Sequence, residues 1–468
     1  MPREDNFRIE RDSVGEMPVP DYAYYGVQSL RASRNFPITL RPMHPVLIAN
    51  LARVKKACAR ANMLAGELDP AIGRAIVAAC DEILNGQLSS EFIVDAIQGG
   101  AGTSANMNIN EVIANRAAEL LGGKKGEYTL VHPNDHVNRS QSTNDVFPTA
   151  GRLAVIELLN PFIEALQHLI NVLDRKADEF HEIFKMGRTE MQDAVPMRVG
   201  QAFAAVASAL RRDIKKIRDA EKSLYVVNLG GTAIGTGINA SPAYRELVVP
   251  ELSKVCGIEL SSAPNLIDAT QNLDDFIEVS SAIKGCAVTL NKWADDLRLL
   301  SSGPATGIGE INLPPVQAGS SIMPGKINPV IPEAVNQVAF NCIGNDLTVT
   351  LAASSGQLEL NAFEPVLFYN LFESLDTMTN ILGIFADQCI AGITVNEERM
   401  THQLEKSTYL ATAVSPILGY RRSSELAKEA LRTGRSMRSL ILEKGLMDEQ
   451  TLNEVGDQIG RASCRERV

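Results

Sequence analysis

Long apolar runs are missing from this sequence: no stretch approaches the roughly 18 consecutive apolar residues that a bilayer-spanning helix needs. A secretory leader is not expected either, because the N-terminal MPREDNFRIERD is charged throughout and has no apolar centre. Cysteine is sparse. Its seven copies (Cys58, Cys80, Cys256, Cys286, Cys342, Cys389 and Cys464) stand singly with no CxxC pair, which excludes a disulfide frame and reads as buried thiols in a reducing, cytoplasmic setting. The six histidines are dispersed and include no HExxH, so no metal ligands are expected and no cofactor is implied. Basic runs are absent as well. With 45 Lys+Arg against 56 Asp+Glu the net charge is −11, which argues against nucleic acid or an anionic membrane as the main partner. An anionic substrate would need local cations to hold it against that field.

What is present is an ordinary globular composition, 45% hydrophobic and 22% charged over 468 residues, enough for roughly three domains at about 150 residues each. The dominant period is helical. Leu47, Leu51, Val54, Cys58 and Ala61 recur at intervals of three and four, as do Leu153, Ile156, Ile163, Leu166, Ile170, Leu173 and Ala177. Pro161 falls inside the second series and predicts a kink or a split there. Further series run through Phe203, Val206, Leu210, Ile214 and Ile217, through Phe276, Ile283, Leu290, Trp293 and Leu297, and through Val335, Val338, Cys342 and Leu347. Core packing accounts for these stripes. Period-two alternation is rare. The expectation is an all-α protein whose long helices pack as a bundle, one that other subunits complete.

Composition shifts suggest three segments: a mainly helical 1–142, a long-helix 143–396 and a short-helix 397–468. The polar stretch His132–Asn144 and the Gly392–Asn396 connection mark the boundaries. The last residues, GRASCRERV from Gly460, are basic and aperiodic and read as an expression tail in place of a native terminus.

Four clusters of small polar residues interrupt the helices: Gln98–Ser104, Arg139–Asp145, Gly187–Glu190 and Gly319–Asn328. Each alone fits a cap or turn. Together they supply compact hydrogen-bond donors of the kind that bind small carboxylates. Nucleotide loops do not fit. Gly319–Lys326 has the wrong glycine spacing for a Walker loop and Ile327 where a magnesium-binding Ser or Thr belongs, and Gly230–Gly237 has the wrong offsets for GxGxxG.

The run Gly319-Ser320-Ser321-Ile322-Met323-Pro324-Gly325-Lys326-Ile327-Asn328-Pro329 resembles the GSSxMPxKxNP signature of the aspartase/fumarase superfamily, and the resemblance extends from Gly26–Arg31 to about residue 445. It implies a homotetramer of three-domain helical subunits, each active site built from three chains, and reversible addition of a small nucleophile across the double bond of fumarate or a compound carrying it. Leu266-Ile267-Asp268-Ala269-Thr270-Gln271, Glu364-Pro365, Ala194-Val195-Pro196-Met197 and Gly26-Val27-Gln28 are similar to the ammonia-lyase branch more than to class II fumarases.

By that resemblance Ser320 is the general base. Thr103, Ser142, Thr143 and Ser321 hold the β-carboxylate of an aspartate substrate, Thr189, Lys326 and Asn328 its α-carboxylate, and Asn144 its amino group. Glu190 departs from the family, which carries His or Gln after Gly-Arg-Thr. A carboxylate there would attract an ammonium group and repel a carboxylate, each by roughly 4 kcal/mol at about 4 Å and an effective dielectric of 20 before hydration opposes it. Glu190 paired with Arg188, or lying on the surface, is the competing reading. The implied reaction is elimination of ammonia from L-aspartate to give fumarate. A fumarase or another lyase of substituted succinates, and a non-catalytic helical scaffold, are the alternatives.

Overall fold

The computed structural model describes residues 6–461, and sixteen α-helices account for most of them. Cys464 and the basic tail beyond 461 lie outside the described residues. In chain order the helices are α1 (Val27–Asn35), α2 (Pro45–Leu64), α3 (Pro70–Leu84), α4 (Thr103–Leu120), α5 (Thr143–Glu179), α6 (Val199–Glu221), α7 (Pro242–Cys256), α8 (Asp268–Gln271), α9 (Asp274–Leu300), α10 (Val330–Ser354), α11 (Glu364–Gln388), α12 (Glu397–Lys406), α13 (Leu410–Leu418), α14 (Tyr420–Thr433), α15 (Met437–Glu443) and α16 (Glu449–Arg461). The all-α expectation holds. It did not include two antiparallel hairpins, β1 (Phe7–Arg11) with β2 (Glu16–Pro20) and β3 (Phe184–Thr189) with β4 (Gln192–Arg198).

The chain divides into two compact units: Met1–Glu164, Asp213–Ala287 and Phe340–Thr379 form the first, and Ala165–Arg212, Val288–Ala339 and Asn380–Val468 the second. The division passes through α5, α6, α9, α10 and α11, so each unit holds part of each of these five helices.

In the first unit, α2, α3 and α7 start alike: a capping side chain precedes a proline at the first helical position. His44, Asp69 and Ser241 each accept a backbone N–H, and Pro45, Pro70 and Pro242 follow them. The α2 series Leu47, Leu51, Val54, Cys58 and Ala61 is buried as expected. Helix α1 lacks a local cap. Its free N–H groups are met instead by the buried Glu111 of α4, which accepts from Gly26 N at 2.9 Å, Gln28 N at 2.9 Å and Ser29 N at 3.1 Å. Phe147, Phe276 and Phe368 pack where α5, α9 and α11 meet, and a Cβ on Gly151 would strike the Phe368 ring at 1.9 Å.

In the second unit, Phe180, Phe203 and Trp293 form an aromatic core. Helices α13 to α16 close around their own cluster, including Leu410, Val414, Leu426, Met437, Leu440 and Leu452. The hairpin β3–β4 packs against α12.

Of the kink or split expected at Pro161, the split is excluded, because α5 is continuous across both Pro148 and Pro161. One residue expected in the core needs correcting. Leu347 is not core. Val335 and Cys342 are buried, but Leu347 lies five residues beyond Cys342, turns away from that face and is 61% exposed. By length and composition α5 would pass for a membrane span. Its apolar side chains, Val146, Phe147, Leu153, Leu159, Phe162 and Leu169 among them, are buried within the protein, which gives that composition a core role.

Candidate active site

The residues singled out from the sequence fall into two groups, one in each unit. In the first, Gly100, Ala101 and Gly102 run through positive φ and deliver Thr103 to the start of α4. Gly102 permits this because a Cβ there would meet the Phe147 ring at 2.5 Å. Gln98 braces the turn, accepting from Ala105 N at 2.7 Å and donating to Asp95 O at 2.8 Å. One turn into α4, Asn106 donates to the Thr143 hydroxyl at 3.0 Å. The Thr103 turn and the Ser142–Asn144 turn are thereby joined.

The second turn is fixed from behind by Asp145. One of its oxygens accepts from Ser142 N at 2.9 Å, and the other from Gly230 N and Thr232 N at 3.0 Å each. Burial raises the Asp145 pKa to about 6 against the pull of those donors. Lys55, fully buried, donates at 2.9 Å to Asn138 and to Gln141, and burial lowers its pKa to about 8. Asn144 donates through Nδ2 to Ala233 O at 2.7 Å, while Ser142 Oγ accepts from Asn144 N at 3.2 Å.

In the second unit, the loop of residues 319–328 closes on itself. Gly319 N donates to Lys326 O at 3.0 Å and Asn328 Nδ2 to Gly319 O at 2.8 Å. Ser320 Oγ accepts from Ile322 N at 3.2 Å and Met323 N at 3.0 Å. Two fixed N–H dipoles aimed at one hydroxyl oxygen stabilise negative charge on it, which a serine needs in order to act as a base. Ser321 and Lys326 are exposed. Lys326 and Asn328 line a groove of about 1930 Å³ whose other wall includes Arg399, His402 and Gln403 of α12.

Thr189 and Glu190 sit at the tip of the β3–β4 hairpin. Thr189 pairs with Gln192 across a two-residue turn in which Glu190 and Met191 take φ of 53° and 64°, the mirror-type turn that suits a twisted hairpin. Both Thr189 and Glu190 are exposed. The pairing of Glu190 with Arg188 is not formed: Arg188 Nη1 binds Glu310 at 2.5 Å. Glu310 is fully buried and also takes Lys185 Nζ at 2.6 Å, and Arg188 reaches Gln403 at 3.5 Å. The hairpin is thus anchored to α12, which forms part of the wall that Lys326 and Asn328 face.

Glu310 escaped sequence reasoning because it lies outside the clusters of small polar residues, and Asp145, though it closes the Arg139–Asp145 cluster, carries no sequence signal for its role as the acceptor behind that turn. The histidines are less scattered than expected, since His132 and His136 have HxxxH spacing. Each Nδ1 there is occupied by backbone N–H groups, and among the described residues no group of three or more His, Cys, Asp or Glu is placed to hold a metal.

A family model described as lyase matches residues 15–344, and one described as fumarase C C-terminus matches residues 410–458. The chain belongs to the aspartase/fumarase superfamily. Among its relatives in the superfamily, an aspartate ammonia-lyase of Bacillus sp is 53% identical over 96% of both chains. That of Bacillus subtilis is 51% identical over 96% of this chain and 95% of its own. Two solved superfamily structures have the same fold. A fumarate lyase:delta crystallin from Brucella melitensis, bound to cobalt, superposes with a TM-score of 0.95 at 50% identity, covering 97% of this chain and 99% of that one. A class II fumarase from Schistosoma mansoni superposes at 0.94 with 35% identity, covering 98% and 100%.

Proposed function

We propose that the chain is an aspartate ammonia-lyase that reversibly converts L-aspartate to fumarate and ammonia. The observation that carries this is 53% identity, over 96% of both chains, to a relative of that name. The signature loop residues are all present, Ser320 with two N–H donors on its oxygen. Ser320 takes the proton from the carbon next to the β-carboxylate. The electron pair spreads into that carboxylate, which Thr103, Ser142, Thr143 and Ser321 hold as an aci-carboxylate. Thr189, Lys326 and Asn328 hold the α-carboxylate, and Asn144 faces the amine. Collapse of the pair forms the carbon–carbon double bond and breaks the anti carbon–nitrogen bond, releasing ammonia.

The chain functions in the cytoplasm as a homotetramer, with segments 1–142, 143–396 and 397–468 as its domains and three subunits contributing to each site. Supporting the assembly, α10 presents Phe340, Ile343, Leu347 and Leu351 at helical spacing along one face, at exposures of 59%, 37%, 61% and 59%.

The test is to mix the enzyme with L-aspartate and follow the ultraviolet absorbance of fumarate. A steady rise is expected. No rise with aspartate but one with L-malate would make the chain a hydratase instead. Glu190 shifts the pH dependence or substrate preference of deamination, so Glu190→Gln is expected to move the pH–rate profile. Superimposable profiles would remove Glu190 from the chemistry.

A further inference from the structure

Pro148 sits inside α5, four residues after Asn144. In an α-helix the carbonyl of Asn144 would accept from the N–H of residue 148, and proline has none. The orphaned carbonyl is met from elsewhere: Asn228 Nδ2 donates to it at 2.9 Å. The second proton of that amide goes to Thr270 Oγ1 at 3.1 Å. Thr270 must accept there, because its own hydroxyl proton is committed to Leu266 O at 2.7 Å. Asn228 Oδ1 in turn accepts from Thr149 Oγ1 at 3.4 Å. Asn228, Thr149 and Thr270 are all buried, and every donor and acceptor of the Asn228 amide is assigned, so the amide cannot be turned over without leaving buried polar groups unpaired.

This network fixes the start of α5 to the loop that follows Asn228, and Ala233 of that loop accepts the Asn144 side-chain N–H at 2.7 Å. With Nδ2 so engaged, Asn144 Oδ1 is left without a donor among the described residues. The exposed chemistry at that point is an acceptor. An ammonium group brings three N–H donors and fits it, whereas a carboxylate brings none.

We propose that Asn228 and Thr270 are positioning residues that present Asn144 Oδ1 as the acceptor for the substrate's ammonium group, and so help set the specificity for an amine. The inference rests on the aspartate ammonia-lyase reading above.

The experiment compares Thr270→Val and Thr270→Ser with the parent, measuring kcat/KM for L-aspartate and the inhibition constant of succinate, which has both carboxylates and no amine. Thr270→Val is expected to lower kcat/KM by about 10- to 100-fold, the range for a misplaced hydrogen bond to a charged group, with succinate affinity changed less than about twofold. Thr270→Ser, which keeps the hydroxyl, recovers most of the loss. Pro148→Ala deletes no partner but returns an N–H to the Asn144 carbonyl in competition with Asn228. It is expected to show the same split more weakly, and it serves if Thr270→Val does not fold. Parallel weakening of succinate and aspartate, no change in Thr270→Val, or no recovery in Thr270→Ser would overturn the proposal. A parent that fails to convert aspartate would sink the functional reading itself, a separate outcome.

Discussion

At Gly319 an added Cβ would lie 2.2 Å from the carbonyl oxygen of Lys326, the same oxygen that accepts the Gly319 N–H at 3.0 Å. Alanine there must push Ser320 and Lys326 apart. Because a displacement of about 1 Å costs on the order of 100-fold in rate, Gly319→Ala should lose roughly that much kcat/KM. The loop is mostly exposed, so the melting temperature should hardly move. Glu111 makes a different prediction. Burial raises its pKa from 4.5 to about 7, although Ser29 and three backbone N–H groups oppose the shift. Between those values the folded chain keeps a proton that the unfolded chain has released. The stability this group contributes is therefore full below about pH 4.5 and is lost as pH rises through about 7, on the order of 3 kcal/mol in all. Glu111→Gln cannot ionise, so its melting temperature should vary less with pH across that window. An unchanged slope would assign the dependence to other groups. Ser320 was legible only through the signature around it, since a lone serine says nothing of catalysis. Asn228 had a signal of its own in Pro148, which guarantees that the carbonyl of Asn144 must find an outside donor.

Among the elements, the β3–β4 hairpin depends on Glu310. Its two oxygens take Lys185 at 2.6 Å and Arg188 at 2.5 Å inside the protein. Removing its charge leaves the buried Lys185 and the partly buried Arg188 uncompensated, and breaking a buried pair typically costs about 3–5 kcal/mol. Glu310→Gln should unfold at a correspondingly lower temperature by circular dichroism, and a loss under about 1 kcal/mol would mean the cations relax into solvent. The hairpin was hidden in the sequence for a physical reason. Its turn is made by Glu190 and Met191 at positive φ, where the recognisable signals are Asn and Gly. The long helices were readable because their buried faces repeat every three to four residues. Pro161 does not end α5, because most of a helix's stability in a protein comes from packing of its apolar face, which holds on both sides of the proline. Leu347 misled because it was assigned by apolarity and not by its angle around the helix.

For the whole molecule, the face of Phe340, Ile343, Leu347 and Leu351 is an apolar stripe that a single chain leaves exposed. If other subunits cover it, Leu347→Glu should convert a tetramer to smaller species in sedimentation experiments and abolish activity with them. A monomeric parent would contradict the assembly. No periodicity argument could have shown which apolar stripe faces a neighbour, since core and interface stripes are alike in composition. The two-unit division also bears on how this protein can be dissected. Neither unit is one continuous length of the chain; each is spliced from three stretches. No single truncation yields either one intact, and a chimaera of two homologues with one crossover cannot take one whole unit from each parent.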